Sequence, residues 1–190
     1  MTTRRSPEDP TAMTDMTAMT DCHQAELDTP VGRLVLLATD DALLACRWAP
    51  VPEERLRRAG LRPAGPARPA GHPVLHAAAD QLDRYLDGRT REFTVPVDLR
   101  LGTDFGRRVL AALAGVGYGH TARYGELARA AGRPTAARAV GAALGANPVC
   151  VVLPCHRVIG STGALTGYAG GIEAKRYLLE LEARRAGAAS

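Results

Sequence analysis

A cysteine and a histidine stand side by side in the stretch Asn147-Pro-Val-Cys-Val-Val-Leu-Pro-Cys-His-Arg-Val158. The apolar run 149–153 is typical of a short buried segment, and Pro154 ends it, which places Cys155 on a turn beside His156. A thiol attacks only as the thiolate, and the pKa of a free cysteine is about 8.5. A neighbouring histidine and Arg157 favour the anion, so the pattern fits a nucleophilic cysteine. A buried cysteine beside a packing histidine is the alternative interpretation.

Length and composition limit the classes of protein to which the chain can belong. The chain has 190 residues, of which 46% are hydrophobic and 23% charged, as expected for one or two small domains with a core. No apolar run is long enough for a transmembrane helix, and the first 25 residues hold no apolar stretch of a secretory signal. The four cysteines form no CxxC pair, so we expect free thiols and a cytoplasmic protein.

Positive charge rises along the chain. Residues 1–30 carry a net charge of −4, residues 31–100 carry +2 and residues 101–190 carry +6. A basic C-terminal half favours a polyanionic partner. Because Lys175 is the only lysine, an arginine-rich composition set by genome bias explains the same excess.

The first half of the chain predicts a small α/β domain. Residues 1–25, with TAMTD repeated at 11–15 and 17–21, are expected to be disordered. Two apolar runs, Gly32–Ala38 and Ala42–Trp48, flank an acidic turn and predict a β-hairpin. Residues 49–73 contain six prolines and predict a long mobile connection, with one helical turn at Glu53–Arg58.

A helix and a third strand complete this domain. From Val74, apolar residues recur at helical spacing (Leu75, Ala78, Ala79, Leu82, Tyr85 and Leu86), and Gly88 marks the helix end. Residues Glu92–Val97 alternate and predict a third strand, which Pro96 places at a sheet edge.

The second half predicts helices. Phe105, Val109, Ala112, Leu113 and Val116 form one stripe, with Thr103 or Asp104 as the N-cap. Two short helices follow, Tyr124–Ala131 and a second one capped by Thr135 that runs to about Leu144. Their tight glycine turn is typical of a helix-turn-helix, and an ordinary helical hairpin is the alternative. A last amphipathic helix spans Ile172–Arg184.

Pro154-Cys-His-Arg-Val158 and the downstream Thr166-Gly-Tyr-Ala-Gly-Gly171 together resemble the O6-alkylguanine-DNA alkyltransferases. The resemblance extends in order over residues 102–183, and the hairpin 32–48 is similar to the opening of the family's N-terminal domain. It implies an α+β protein: an N-terminal α/β domain with a three-stranded antiparallel, ribonuclease H-like sheet, and a mostly helical C-terminal domain with a winged-helix-like helix-turn-helix. The expected domains are 26–100 and 101–190, after the 1–25 extension.

The resemblance also implies a reaction, in which Cys155 accepts an alkyl group from O6 of guanine and is consumed. Each protein acts once and needs no cofactor, because the damaged base is both donor and leaving group. His156 matches the base, which works through a water, and Glu182 matches the carboxylate that orients it. Asn147 matches the residue that holds the cysteine turn, and Tyr124 matches the hydroxyl that donates to the base. From the residues alone, a solvated acid late in a helix is the preferred interpretation of Glu182, and a residue of the domain seam is the alternative for Tyr124.

The implied partner is duplex DNA, bound by a monomer through the minor groove with the damaged nucleotide extruded. Arg138 matches the side chain that fills the vacated space, although a solvated helix arginine is its plainer interpretation. Tyr168 and the backbone of Ala169 match the wall of the base pocket, where carbonyls of Cys155 and Val158 accept from the exocyclic amine. The remaining residues assigned to DNA are Thr135, Ala136, Ala137, Gly141 and Arg157.

Several positions depart from the family pattern. Gly106 and the pair Val109-Leu110 stand where relatives often carry Gln and Trp, and Cys150 stands where they carry Pro or a small residue. Some relatives bind zinc in the N-terminal domain, but the spacing of this chain's Cys and His matches no zinc pattern, so we expect no metal. An alkyl-damage sensor and a multiple-turnover thiol hydrolase are the alternative functions.

Overall fold

The N-terminal half is built on a four-stranded sheet. The computed structural model describes residues 19–187, with strands β1 (Thr20–Thr29), β2 (Gly32–Ala38), β3 (Leu43–Arg47) and β4 (Leu61–Pro66). The strand order is β3-β2-β1-β4; β1–β2 and β2–β3 pair antiparallel, and β1–β4 pair parallel. The predicted hairpin is confirmed as β2 and β3, whereas the predicted count of three strands is wrong.

The two strands that the sequence did not indicate have weak patterns for physical reasons. Strand β1 carries mostly polar side chains and buries only Cys22 and Ala25, and its first six residues fall in the segment predicted to be disordered. That prediction is wrong for residues 20–25, and residues 1–18 lie outside the described part of the chain. Strand β4 contains Pro63 and Pro66, which lack a backbone donor and are tolerated because β4 is an edge strand.

The predicted third strand, Glu92–Val97, does not form. Its Val97 alone bridges to the sheet, beside Leu43 of β3. The side-chain oxygen of Gln81 accepts the backbone N–H groups of Thr94 and Val95 at 2.7 and 3.1 Å. This side chain therefore satisfies the donors that a neighbouring strand would otherwise use.

Two helices accompany the sheet. Helix α1 spans Glu53–Arg58, as predicted, and α2 spans Pro73–Leu86. Every residue of the predicted apolar face of α2 is buried against the sheet. The chain leaves α2 through Gly88, whose φ of +70° favours glycine.

Four further helices form the C-terminal half: α3 (Asp104–Ala114), α4 (Tyr124–Ala130), α5 (Ala137–Gly145) and α6 (Gly171–Gly187). The Thr103 hydroxyl accepts the N–H of Gly106 at 3.0 Å and caps α3. Helices α3, α4 and α5 enclose a second core, which contains Val109, Leu110, Leu113, Leu127, Ala128, Val140 and Leu144. The prediction that Thr135 caps α5 is wrong. The helix begins one residue later than such a cap requires, and its N-cap is Ala136, which makes no side-chain cap.

The two halves share backbone hydrogen bonds. The outer edge of β3 is extended by a C-terminal segment: Cys46 N donates to Pro148 O, and Cys150 N donates to Cys46 O, both at 2.8 Å. A short parallel pair, β5 (Ala122–Arg123) and β6 (Val158–Ile159), ties the start of α4 to the residues after Cys155. Within residues 19–187, no helix combines the length and apolar character needed to cross a bilayer.

Truncating the centre of the α2–sheet contact should destabilise the protein. Leu82 is fully buried, so Leu82→Ala should lower the free energy of unfolding by about 2–5 kcal/mol in urea titrations. The exposed neighbour Asp83 provides the control, because Asp83→Ala should change it by less than about 0.5 kcal/mol. Equal effects of both substitutions would contradict this packing.

Candidate active site

Cys155 starts a short 3₁₀ helix, Cys155–Arg157, directly after Pro154. Asn147 holds the preceding turn from both ends of its side chain. Its Oδ1 accepts Val149 N at 2.9 Å, and its Nδ2 donates to Leu153 O at 3.1 Å and to Cys155 Sγ at 3.2 Å. Asn147 therefore lies at the base of the turn that carries Cys155.

The turn also stores backbone strain. Val151 has a φ of +69°, and it is the one non-glycine residue with positive φ within residues 19–187. A β-branched residue in this region costs about 1–3 kcal/mol and persists only where its surroundings impose it. The hydrogen bonds of Asn147 and the pairing of this segment with β3 supply that constraint.

The surroundings of Cys155 favour its thiolate. The Cys150 sulfur lies 3.9 Å from Cys155 Sγ, and this contact lowers the pKa of Cys155 most. Burial acts in the opposite direction, but the Asn147 amide and the positive charge of Lys175 add to the lowering, so the pKa lies below its ordinary value. A lowered pKa in a buried thiol is the property of a reactive rather than a structural cysteine.

His156 is held in one tautomer by a carboxylate. Its Nε2 lies 2.8 Å from Glu182 Oε1, and both side chains are buried. An ionised carboxylate only accepts, so Nε2 carries the ring proton and Nδ1 keeps its lone pair. Nδ1 is buried without a protein partner in the described residues. Burial lowers the pKa of His156 despite Glu182, which keeps the ring neutral and able to accept a proton at Nδ1.

Glu182 is a shared acceptor for four groups. Besides His156, it accepts Gly119 N at 2.9 Å, Arg157 Nε at 3.0 Å and the hydroxyl of Tyr85. Burial alone would raise the pKa of Glu182, but the bonds from His156 and Arg157 outweigh it and lower the pKa to about 2. The predicted pairing of Glu182 with His156 is thus present, within a larger network.

Arg157 corrects one prediction. The resemblance placed Arg157 among the DNA-contacting residues, but its side chain is buried. It pairs with Glu182 and donates from Nη1 to Val116 O at 2.6 Å. Its charge neutralises the buried carboxylate and is not available to a phosphate.

A cavity of about 270 Å³ opens onto Cys155. It brings together three of the other predicted site residues, Tyr124, Tyr168 and Ala169, and is also lined by Leu144, Gly145 and Gly167. The Tyr124 hydroxyl lies 2.8 Å from Thr166 Oγ1, on the loop that forms one wall. The cavity therefore gives a small group a route to a sulfur that is only 5% exposed.

A wider groove of about 620 Å³ lies next to this cavity, on the outer face of α4 and α5. Tyr124 and Gly167 line both, so the two spaces adjoin. Three predicted DNA-binding residues line it (Ala137, Arg138 and Gly141), and Arg138 is exposed. Thr135 and Ala136 precede α5 and do not line it.

Three functional positions were missed or misjudged from the sequence. Lys175 is fully buried, and its Nζ donates to Val158 O at 2.6 Å and to Thr166 O at 2.8 Å, joining two walls of the site. The only feature of the sequence that could have drawn attention to this residue is that it is the single lysine of the chain. Tyr85 was assigned only to a helix core, yet its hydroxyl reaches Glu182, and Gly119 carried no signal at all.

Trp48 and Gly170 support the loop that carries Tyr168. The Trp48 ring packs edge-on to Tyr168 with centroids 5.2 Å apart. A Cβ on Gly170 would lie 2.4 Å from Trp48 ring atoms, so only glycine fits without displacing the ring. A tryptophan of the N-terminal half thus positions a wall of the C-terminal cavity.

Three side chains outside this site carry metal-ligating atoms close together. His23, Asp40 and His72 each place one such atom within 4.8 Å of the others. However, His72 Nδ1 accepts Leu75 N at 3.4 Å, so Nε2, the atom nearest Asp40, carries the ring proton. Ligation through Nε2 would move that proton to Nδ1 and cost the hydrogen bond from Leu75 N, so the helix cap opposes a metal at this place.

Fold and site together define an α+β protein in which a buried cysteine of lowered pKa lies beside a helix-turn-helix. Two family models match the chain: 6-O-methylguanine DNA methyltransferase, ribonuclease-like domain, over residues 23–99, and the DNA binding domain of the same family over residues 104–184. The chain belongs to the 6-O-methylguanine DNA methyltransferase family. The predicted resemblance and α+β fold class are confirmed.

Individual relatives agree with this assignment. A methylated-DNA–protein-cysteine methyltransferase of Mycobacterium tuberculosis is 45% identical over 164 residues, which cover 86% of this chain and 94% of the relative. An inducible enzyme of the same name from Bacillus subtilis is 50% identical over 110 residues, 58% of this chain and 61% of the relative. The crystal structure of M. tuberculosis OGT in complex with DNA matches with a TM-score of 0.72 at 45% identity, over 86% of this chain and 94% of that one.

Removing the Glu182 charge should destabilise the protein in a pH-dependent way. Glu182→Gln leaves Arg157 buried without its partner, so the free energy of unfolding at pH 7 should fall by about 3–5 kcal/mol. Because the pKa of Glu182 is lowered to about 2, the advantage of the wild type is complete above about pH 4.5 and declines as the pH falls toward 2.

Urea titrations of both proteins between pH 7 and pH 2.5 measure this difference. Glu180→Gln is the matched control, since Glu180 lies exposed on the same helix and pairs with Arg184 only at 3.8 Å. A gap between wild type and Glu182→Gln that stays constant with pH would contradict the network.

Proposed function

We propose that this protein repairs alkylated DNA by direct reversal, as a single-turnover methylated-DNA–protein-cysteine methyltransferase. It transfers the alkyl group from O6 of guanine in duplex DNA to Cys155 and is consumed. The observation that carries the proposal is a cysteine of lowered pKa, beside a neutral histidine, at the base of a cavity that adjoins a helix-turn-helix groove. The names of the M. tuberculosis and B. subtilis relatives support the same reaction.

The transfer is a displacement at carbon. His156 takes the proton of Cys155 at Nδ1, through a water, and Glu182 stabilises the resulting imidazolium. The sulfur then bonds to the alkyl carbon while the bond from that carbon to O6 breaks, and guanine leaves with the electron pair. The product is a thioether, which no ordinary thiol reverses. No cofactor takes part in this balance.

Departure of guanine requires its developing charge to be neutralised. Tyr124, which lines both the cavity and the groove, donates to the ring nitrogen, and the N–H of Ala169 faces O6. The carbonyls of Cys155 and Val158 accept from the exocyclic amine. The Val158 oxygen already accepts one hydrogen bond from Lys175 and retains a second lone pair for the base.

DNA lies along the groove of α4 and α5 in this proposal. The minor groove faces the small residues Ala137 and Gly141, with Ala136 and Thr135 at the start of the helix. Arg138 is exposed on α5 and enters the space that the extruded nucleotide leaves. The net charge of +6 over residues 101–190 supplies attraction to phosphates without sequence preference.

The same proposal covers organisation and location. An N-terminal α/β domain of residues 26–100 precedes an alkyl-transfer domain of residues 101–190, and the family matches to 23–99 and 104–184 support this division. Free thiols at all four cysteines are compatible with a monomer that acts in the cytoplasm.

Substituting the acceptor should abolish transfer and preserve lesion binding. Wild-type protein mixed with DNA containing one O6-methylguanine should gain one methyl group on the peptide of Cys155, at no more than one per chain. Cys155→Ala should show no gain while still binding the lesion, whereas Cys22→Ser should behave as the wild type. Intact-protein and peptide mass spectrometry measure both.

Two other outcomes would replace this proposal. Tight binding of the lesion by wild-type protein without any mass gain would indicate a sensor. Repeated loss of methyl groups from DNA without labelled protein would indicate a turnover enzyme.

The role of Arg138 separates duplex repair from chemistry on a free base. Arg138→Ala should slow repair of duplex O6-methylguanine by about tenfold or more, because it removes support for the extruded state. Reaction with free O6-benzylguanine needs no extrusion and should keep its rate. Arg57→Ala, an exposed arginine on α1, is the control for loss of charge alone. Equal slowing on both substrates would rule out the extrusion role.

A further inference from the structure

We propose that Cys150 and Cys155 are a reversible oxidation site: a hydroperoxide converts them to a disulfide, which blocks the acceptor and protects it from irreversible oxidation. Formation of the disulfide involves only the two thiols and does not depend on which reaction the protein performs. Its consequence for alkyl transfer rests on the proposed function.

The two sulfurs already face each other. Cys150 Sγ and Cys155 Sγ are 3.9 Å apart, and the two side chains are 0% and 5% exposed. A disulfide bond is about 2.05 Å long, so its formation requires the sulfurs to approach by about 2 Å. The intervening loop is already folded back on itself, with Val152 N donating to Cys150 O and Cys155 N to Leu153 O.

The two thiols differ in the way that such a pair requires. The surroundings lower the pKa of Cys155, so Cys155 is the thiolate that attacks the peroxide. They raise the pKa of Cys150, which therefore stays protonated until it attacks the oxidised Cys155. The cavity of about 270 Å³ admits a peroxide to Cys155. Cys46 also lies in this region, but burial raises its pKa to about 12, which leaves it unreactive.

The oxidation balances in two steps. The Cys155 thiolate attacks one peroxide oxygen; the S–O bond forms, the O–O bond breaks, and the departing hydroxide takes a proton to become water. Cys150 then attacks the Cys155 sulfenic acid; the S–S bond forms, the S–O bond breaks, and the leaving hydroxide takes the Cys150 proton as a second water. Two thiols and one hydrogen peroxide thus give one disulfide and two waters, and an added dithiol reverses the oxidation.

The experiment treats folded protein with hydrogen peroxide at increasing ratios and maps peptides without reduction. Wild-type protein should lose two hydrogens in a Cys150–Cys155 cross-link, lose alkyl transfer in parallel, and recover most of it after dithiothreitol. Cys150→Ser keeps a similar volume but lacks the resolving thiol. Relative to its own untreated activity, it should lose transfer without recovery and accumulate sulfinic acid on Cys155. Cys22→Ser should match the wild type throughout.

Wild-type protein that gains oxygen on Cys155 without the cross-link would overturn the proposal, as would recovery of Cys150→Ser to the same extent as the wild type. The cross-link is measured by mass alone, so the oxidation proposal is tested even if the reduced protein transfers no alkyl group. Absence of transfer by the reduced protein would count against the proposed function instead. Circular dichroism of untreated Cys150→Ser verifies that the variant is folded. If it is not, wild-type protein whose Cys155 has first been alkylated replaces it and should form no cross-link.

Discussion

The structure depends on keeping one carboxylate ionised and out of water. Glu182 is fully buried, and an ion in that position is tolerated only when its lone pairs are occupied and its charge is balanced. The four groups that satisfy it come from three separate parts of the chain: Tyr85 on α2, Gly119 before α4, and His156 and Arg157 on the cysteine turn. Satisfying this carboxylate therefore brings both halves of the protein together and orients the His156 imidazole at the same time.

The two halves are one unit at the site, although each has its own core. The edge of β3 bonds to the segment that leads to Cys155, and Trp48 packs against the wall of the cavity. The segment that precedes the cysteine turn therefore forms an isolated β-bridge with the edge of the N-terminal sheet. Strain at Val151 is sustained because the sheet and Asn147 hold the turn from opposite sides.

The sequence predicted well those features that have a local pattern. The face of α2, the β2–β3 hairpin and the Thr103 cap each follow from residues close in the chain, and the Pro-Cys-His-Arg motif predicted the turn that places Cys155 beside His156. Features set by distant contacts were missed. The polar strand β1 is stable because it lies between β2 and β4, and in the segment 92–97 the N–H groups of Thr94 and Val95 donate to the distant Gln81 side chain and not to a strand. The burial of Arg157 has no local signal, since its partner lies 25 residues away.

The lone lysine has a consequence for the surface of the protein. Lys175 is enclosed between Val158 and Thr166, so the exposed cationic side chains among the described residues are guanidinium groups, histidine aside. Guanidinium stays protonated at every pH that a folded protein survives and binds phosphate oxygens in pairs. The electrostatic field presented to DNA is accordingly insensitive to alkaline titration, and acetylating or other amine-directed reagents have no accessible side-chain amine on this part of the chain.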